Sequence, residues 1–263
     1  GTSLEGFVGD WYINIVFMFL IIIGGMGFVV ILELMTQWRK KEEPFEFVRF
    51  SLHTKVVLIM TALLLGVGTI AYLTIEFNSP ATLGTLPLDE KILAALFQSV
   101  TSRTAGFSTI VLGDMQDSSL LIMMFLMFIG GSPGSTSGGI KTTTFGIILM
   151  AVYAVVRGRE ELVVLGRRIP IQTILKSLAV IVVSMLLVLV SLIALSLVEK
   201  ASLLQLAFEV ISAFSTTGAS IGATTKLSVA GKFILMITMF LGRIGPLTIM
   251  LALTVKSKKS KLQ

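Results

Sequence analysis

Apolar residues run along the chain in long stretches of two lengths. The stretches at roughly 13–36, 54–77, 118–156, 173–198 and 228–255 reach or exceed the about 20 residues that carry a helix across a bilayer. Two others, 89–102 and 202–214, are too short to cross. The first short stretch opens with Asp89 and Glu90 and the second with Ser202, residues that favour helix starts. Both end in small polar clusters, TSRTAGFST and STTGASIG. The pattern predicts full spans interleaved with re-entrant half-helices, each followed by an extended loop.

The arrangement repeats. Gly106 lies 24 residues before Gly130, Gly218 lies 24 residues before Gly242, and MFIGG (127–131) aligns with MFLGR (239–243). The unit is helix, half-helix with glycine loop, helix. A third trace, IIIGGMG (21–27), resembles the same second-helix segment, so the chain is expected to begin partway through an earlier unit.

Composition agrees with a polytopic membrane protein. Of 263 residues, 54% are hydrophobic and only 14% charged, against about 25% charged in soluble domains. The net charge of +6 does not describe a nucleic-acid face, because the basic residues gather at the ends of apolar spans. Arg39, Lys40, Lys41, Arg49 and Lys55 form one group, Arg157, Arg159, Arg167, Arg168 and Lys176 a second, and Lys256, Lys258, Lys259 and Lys261 a third. Counting the spans places all three on one side of the membrane, as the positive-inside rule requires of cytoplasmic segments. No cysteine and a single histidine exclude thiol chemistry and leave little for a zinc site or a serine triad.

Non-helical backbone at membrane depth must be buried in protein or line a watery cavity. Two glycine loops at matching places therefore face something polar. Glycine lets successive carbonyls point inward, carbonyl oxygens replace the hydration shell of a cation, and half-helix C-termini add negative dipole ends. Neither TAGFST nor STTGAS contains a carboxylate, so ion selection rests on carbonyls, which favours a potassium-type filter. Small residues also allow close helix packing, a reading that suits GVG (66–68) better than it suits the two loops.

Segment 118–156 has 39 residues, about 58 Å as one helix against a hydrocarbon core of about 30 Å. It must break, and GGSPGSTSGGIKTTT (130–144) is where. That stretch approaches a phosphate-binding loop, but Ile140 separates Gly139 from Lys141, and no strand pattern precedes it. Below a filter, a hydroxyl-rich loop is a natural gate. Arg243 occupies the repeat position of Gly131, within a span, where a guanidinium needs a partner. It is expected to donate to carbonyls or hydroxyls of the 130–144 loop and to repel cations while the gate is closed. Glu209, in the second half-helix, is a carboxylate placed to support the filter backbone. His53 and Glu33 border cytoplasmic ends and read as interfacial and locally paired; the methionines read as packing or lipid-facing residues.

The combination SVTSRTAGFST, GGSPGSTSGGIKTTT, FSTTGAS and LGRIGP resembles the Ktr/Trk/HKT superfamily of potassium transporters, most closely its KtrB-type membrane subunits. The resemblance implies an all-α polytopic membrane protein with repeated helix, pore-loop, helix units around a pseudo-fourfold ion pathway. It divides the chain into the last helix of an incomplete second repeat (1–36), a cytoplasmic linker (37–55), the third repeat (54–156), a second linker (157–172), the fourth repeat (173–255) and a basic cytoplasmic tail (256–263). Carried over by motif, Thr104, Ala105, Gly106 and Phe107 form the third filter, and Thr216, Thr217, Gly218 and Ala219 the fourth. Gly130, Gly131, Ser132, Pro133, Gly134, Ser135, Thr136, Ser137, Gly138, Gly139 and Lys141 form the gate with Arg243.

The same resemblance implies potassium uptake across the bacterial cell membrane, with K+ held by backbone carbonyls only and no cofactor in this chain. It further implies sodium as the coupling ion, a homodimer in membrane lipid, and a cytosolic nucleotide-binding KtrA-type regulatory subunit. Two filters cannot surround an ion, so transport is expected to need the preceding repeats. A carrier of small organic solutes with broken helices is the alternative; such folds, however, commonly break their spanning helices in inverted repeats. An intramembrane enzyme lacks an acid, base or nucleophile set.

Overall fold

The computed structural model describes residues 3–39, 50–159 and 162–245. The middle of the first linker, the end of the last predicted span and the basic tail 256–263 lie outside the described residues. Nine helices account for nearly all regular structure among the described residues. Two of them, α3 (Leu52–Glu76) and α7 (Ile171–Val198), are single helices long and apolar enough to cross a membrane.

Each opens one repeat. In the first, α3 is followed by the half-helix α4 (Leu88–Thr101) and then α5 (Asp117–Phe128). In the second, α7 is followed by the half-helix α8 (Leu203–Phe214) and then α9 (Val229–Ile244). Ser202 caps α8 as expected: its hydroxyl accepts from the Gln205 N–H at 3.3 Å while Gln205 Oε1 accepts from the Ser202 N–H at 3.2 Å. At the other half-helix Asp89 and Glu90 stand in the first turn, where their charge suits the helix dipole, but Pro87 is the cap residue.

The break predicted within 118–156 is present: α5 ends at Phe128 and α6 (Thr142–Val156) begins after the intervening loop. The span predicted over 13–36 is not one helix. It consists of α1 (Trp11–Met26) and α2 (Phe28–Arg39), bent by 104° at Gly27. Gly27 adopts φ +85°, a conformation open to glycine. A two-residue hairpin, Val163–Val164 with Arg167–Arg168, joins α6 to α7.

Three carboxylates each tie one helix to the start of a later helix. Glu33 on α2 accepts from the N–H and hydroxyl of Ser51, the cap residue of α3, at 2.6 and 2.7 Å, and from the Thr54 hydroxyl. Glu76, fully buried at the end of α3, accepts from Thr82 Oγ1 at 2.6 Å and from the N–H of Gln116, the cap residue of α5, at 2.9 Å. Glu199 after α7 does the same for Ser228 at the start of α9, at 2.9 Å to N–H and 2.6 Å to hydroxyl. Each supplies negative charge where a helix N-terminus leaves donors unsatisfied.

The core forms where the repeats meet, from Leu64 and Tyr72 on α3, Ala94 and Ala95 on α4, Met123 and Met127 on α5, and Phe208 on α8. The GVG motif is a packing device: a Cβ on Gly68 would overlap the Ser99 hydroxyl, which donates to the Leu65 carbonyl at 2.8 Å.

Candidate functional site: two facing pore loops and the loop beside them

Each half-helix hands over to a loop with the same backbone signature. Thr104 and Gly106 have φ of +69° and +77°; Thr216 and Gly218 have +55° and +83°. Threonine rarely adopts left-handed backbone, so both loops are held by their surroundings rather than by local preference. The holding groups are hydroxyls of the half-helices. Thr101 Oγ1 donates to the Phe107 carbonyl at 2.6 Å, and Ser212 Oγ donates to the Ala219 carbonyl at 2.6 Å.

These two bonds sort the predicted filter residues. The carbonyls of Phe107 and Ala219 are committed to the half-helices. Among the described residues no donor reaches the carbonyls of Thr104, Ala105, Gly106, Thr216, Thr217 or Gly218. The loops also meet: a Cβ on Gly106 would overlap the Thr217 carbonyl oxygen and lie 3.2 Å from the Gly218 carbonyl carbon. Two loops 112 residues apart in sequence, counted from Gly106 to Gly218, thus touch where Gly106 packs against the Thr217 carbonyl.

The 129–141 loop is folded rather than loose. Its ends are zipped by Ile140 N–H to the Phe128 carbonyl at 3.1 Å and Thr142 N–H to the Gly131 carbonyl at 3.1 Å. Ser132 and Thr142 share a hydroxyl contact at 3.0 Å, and Lys141 Nζ donates to the Ser137 carbonyl at 2.7 Å. Three neighbours hold it from outside. On the α1/α2 side, Ser132 N–H donates to the Gly25 carbonyl at 2.9 Å, Thr136 N–H to that of Gly24 at 3.3 Å, and Phe28 N–H to that of Gly134 at 3.2 Å. On the fourth-loop side, a Cβ on Gly138 would meet the Ser215 carbonyl oxygen at 2.5 Å and overlap the Thr216 hydroxyl. From α9, the Arg243 guanidinium donates to the Thr136 carbonyl. The predicted partner of Arg243 is therefore the contact found.

A cavity of about 380 Å³ lies between these parts, lined by Thr104, Ala105 and Phe107 of the third loop, Thr136 and Ser137 of the 129–141 loop, and Gly24 and Gly25 of α1. Gly130 and Gly242, aligned in the sequence repeat, have different jobs. A Cβ on Gly130 would overlap the Gly138 carbonyl within its own loop, while one on Gly242 would overlap the Phe214 carbonyl at the end of α8.

Sequence reasoning missed three contributors. The Gly24–Gly27 break is the cradle of the 129–141 loop, visible beforehand only as GGMG. Thr101 and Ser212 are hydroxyls six and seven residues before the carbonyls they hold, an irregular spacing that carries no motif. Arg103, buried beside the third loop, keeps Nε and Nη2 without hydrogen-bond partners among the described residues; its charge within a pore-loop motif was the available signal.

Helix, half-helix, helix repeats, apolar spans and two glycine loops that meet at Gly106 and Thr217 define a mostly helical polytopic membrane protein. The sequence matches the cation transport protein family described as TrkH over residues 1–263, and the chain belongs to that family. It is 41% identical over 261 residues to Ktr system potassium uptake protein B of Bacillus subtilis, covering 99% of this chain and 57% of that protein. It is 38% identical over 265 residues to potassium/sodium uptake protein NtpJ of Enterococcus hirae, covering 99% of this chain and 57% of that protein. The fold is that of the potassium transporter TrkH from Vibrio parahaemolyticus, with a TM-score of 0.74 at 21% identity over 96% of this chain and 54% of that structure. The chain spans about half the length of the relatives it matches.

Proposed function

We propose that this chain forms two quarters of a potassium pathway across the bacterial cell membrane, as part of the membrane subunit of a Ktr-type uptake system. The observation that carries the reading is the meeting of Gly106 with the Thr217–Gly218 peptide. It gathers carbonyls with no internal partner at the C-terminal ends of two half-helices, an environment that stabilises a dehydrated monovalent cation. The ion ligands are the carbonyls of Thr104, Ala105, Gly106, Thr216, Thr217 and Gly218; Phe107 and Ala219 shape the loops. The 129–141 loop with Lys141 and Arg243 is the gate, since two cationic groups beside the filter oppose ion passage.

Sodium is the proposed coupling ion, and the assembly is a homodimer carrying a cytosolic nucleotide-binding KtrA-type subunit. Exposed Arg167 and Arg168 on the α6–α7 hairpin lie on the side assigned to the cytoplasm, as does the C-terminus. The test expresses the complete reading frame encoding this chain in a potassium-uptake-deficient bacterium at limiting potassium. Growth rescue that Gly106→Ser abolishes or makes less potassium-selective supports the filter; rescue indifferent to that change overturns it.

A further inference from the structure

We infer that Glu209 is a specificity-setting charge behind the fourth pore loop, standing where the third loop has only a neutral amide. The two loops place a serine beside a half-helix side chain at matching points, but only the fourth bonds it: the Ser108 hydroxyl donates to the Ile110 carbonyl at 2.5 Å. Ser108 and Ser220 each follow their filter glycine by two residues. Ser108 Oγ lies 3.5 Å from Gln98 Oε1 of α4, and Ser220 Oγ donates to Glu209 Oε1 of α8 at 2.6 Å. Thr224 Oγ1 donates to the second carboxylate oxygen. All four of Gln98, Ser108, Glu209 and Ser220 are buried or half-buried.

The consequence differs between the loops. Gln98 offers a dipole and spends its amide on the Met123 sulfur at 3.2 Å. Glu209, only 3% exposed, is held by two neutral hydroxyls. No cation pairs directly with that carboxylate among the described residues. Glu209 shares the wall of a cavity of about 280 Å³ with Gly218 and Ala219 of the loop; among the described residues Lys232 is the one basic residue on that wall. In a low-dielectric setting a carboxylate without a directly paired cation acts over several ångströms. A filter built of carbonyl dipoles then has one side backed by a full negative charge, which strengthens cation binding there and biases the ion toward the fourth loop.

The inference rests on the potassium-pathway reading, and the experiment separates the two. Potassium uptake is measured against external potassium in the uptake-deficient bacterium expressing the complete reading frame, for wild type, Glu209→Gln, Gln98→Glu and the double variant. Glu209→Gln keeps an oxygen for Ser220 and removes the charge. It is expected to raise KM about tenfold, roughly 1.4 kcal/mol of ion binding, and to affect Vmax less. Gln98→Glu is expected to lower KM alone and to bring KM of the double variant back toward wild type. If Glu209→Gln does not assemble, Gln98→Glu in the wild-type background decides the matter by the same shift. Unchanged KM in Gln98→Glu, or a Glu209→Gln that loses Vmax at constant KM, overturns the inference while uptake by wild type leaves the pathway reading standing. Wild type without potassium uptake overturns both.

Discussion

The guanidinium of Arg243, in the last turn of α9, donates to the carbonyl of Thr136 in the loop between α5 and α6, 107 positions away in sequence. A charge-assisted bond of this kind contributes roughly 1.5–3 kcal/mol. On the gate reading that energy belongs to the closed state alone. Arg243→Ala is therefore expected to raise potassium flux under closing conditions by about tenfold or more, one decade per 1.4 kcal/mol. Flux into liposomes with the regulatory subunit in its closing state checks this; flux equal to wild type would remove Arg243 from the gate.

The two proposed filter glycines are unequal. Both need left-handed backbone, which costs a non-glycine residue about 1–3 kcal/mol, but only Gly106 would also drive its Cβ into the Thr217 carbonyl, while Gly218 has open space among the described residues. Gly106→Ala should lose selective uptake, and Gly218→Ala should retain more of it. Competition of potassium with sodium in an uptake assay ranks the two, and the reverse order would contradict the contact.

Gly27 and Gly138 seat the 129–141 loop from opposite sides. A Cβ on Gly27 would overlap the Pro133 carbonyl, and one on Gly138 would press on Ser215 and Thr216. Gly27→Ala is expected to unseat the loop and raise flux. Gly138→Ala is expected also to disturb the fourth filter, lowering selectivity as flux rises. Single-point measurements of flux and of potassium-over-sodium preference separate the two outcomes.

Thr101 and Ser212 hold carbonyls at the ends of the two glycine loops. Removing one such neutral bond costs about 1 kcal/mol. Thr101→Val and Ser212→Ala should each widen the range of ions accepted without abolishing transport. Rubidium and sodium uptake against potassium will show whether preference narrows toward unity, as expected, or stays as in wild type.

Glu76 is a stability residue. Glu76→Ala would leave the Gln116 N–H and the buried Thr82 hydroxyl without their acceptor, at about 1–3 kcal/mol each when buried. Thermal unfolding of the purified protein in detergent should begin several degrees lower. An unchanged midpoint would mean that water replaces the carboxylate.

What the sequence disclosed and what it hid divide along physical lines. Half-helices were legible because 89–102 and 202–214 are simply too short to cross, and the α5–α6 break because 39 residues are too many. The bend at Gly27 was hidden because the apolar stretch 13–36 has a suitable length for one span, so nothing in its hydropathy demands a break. Only the partner loop, more than a hundred positions on, explains it. The two glycine loops were legible as a motif, whereas the division into free and committed carbonyls depends on where hydroxyls of the preceding half-helix point. Arg243 was legible as a misfit, a charge where the repeat has Gly131.

The 129–141 loop is fastened to α1/α2, to the fourth pore loop and to α9, and these supports belong to different parts of the chain. Each support adds to the stability of the seated loop, so on the gate reading the loss of one shifts the balance partway, and the loss of several shifts it further. If the loop is the gate, its opening equilibrium is the sum of these separate contributions, so each roughly 1.4 kcal/mol removed from any one support multiplies the open population about tenfold until the loop is mostly open.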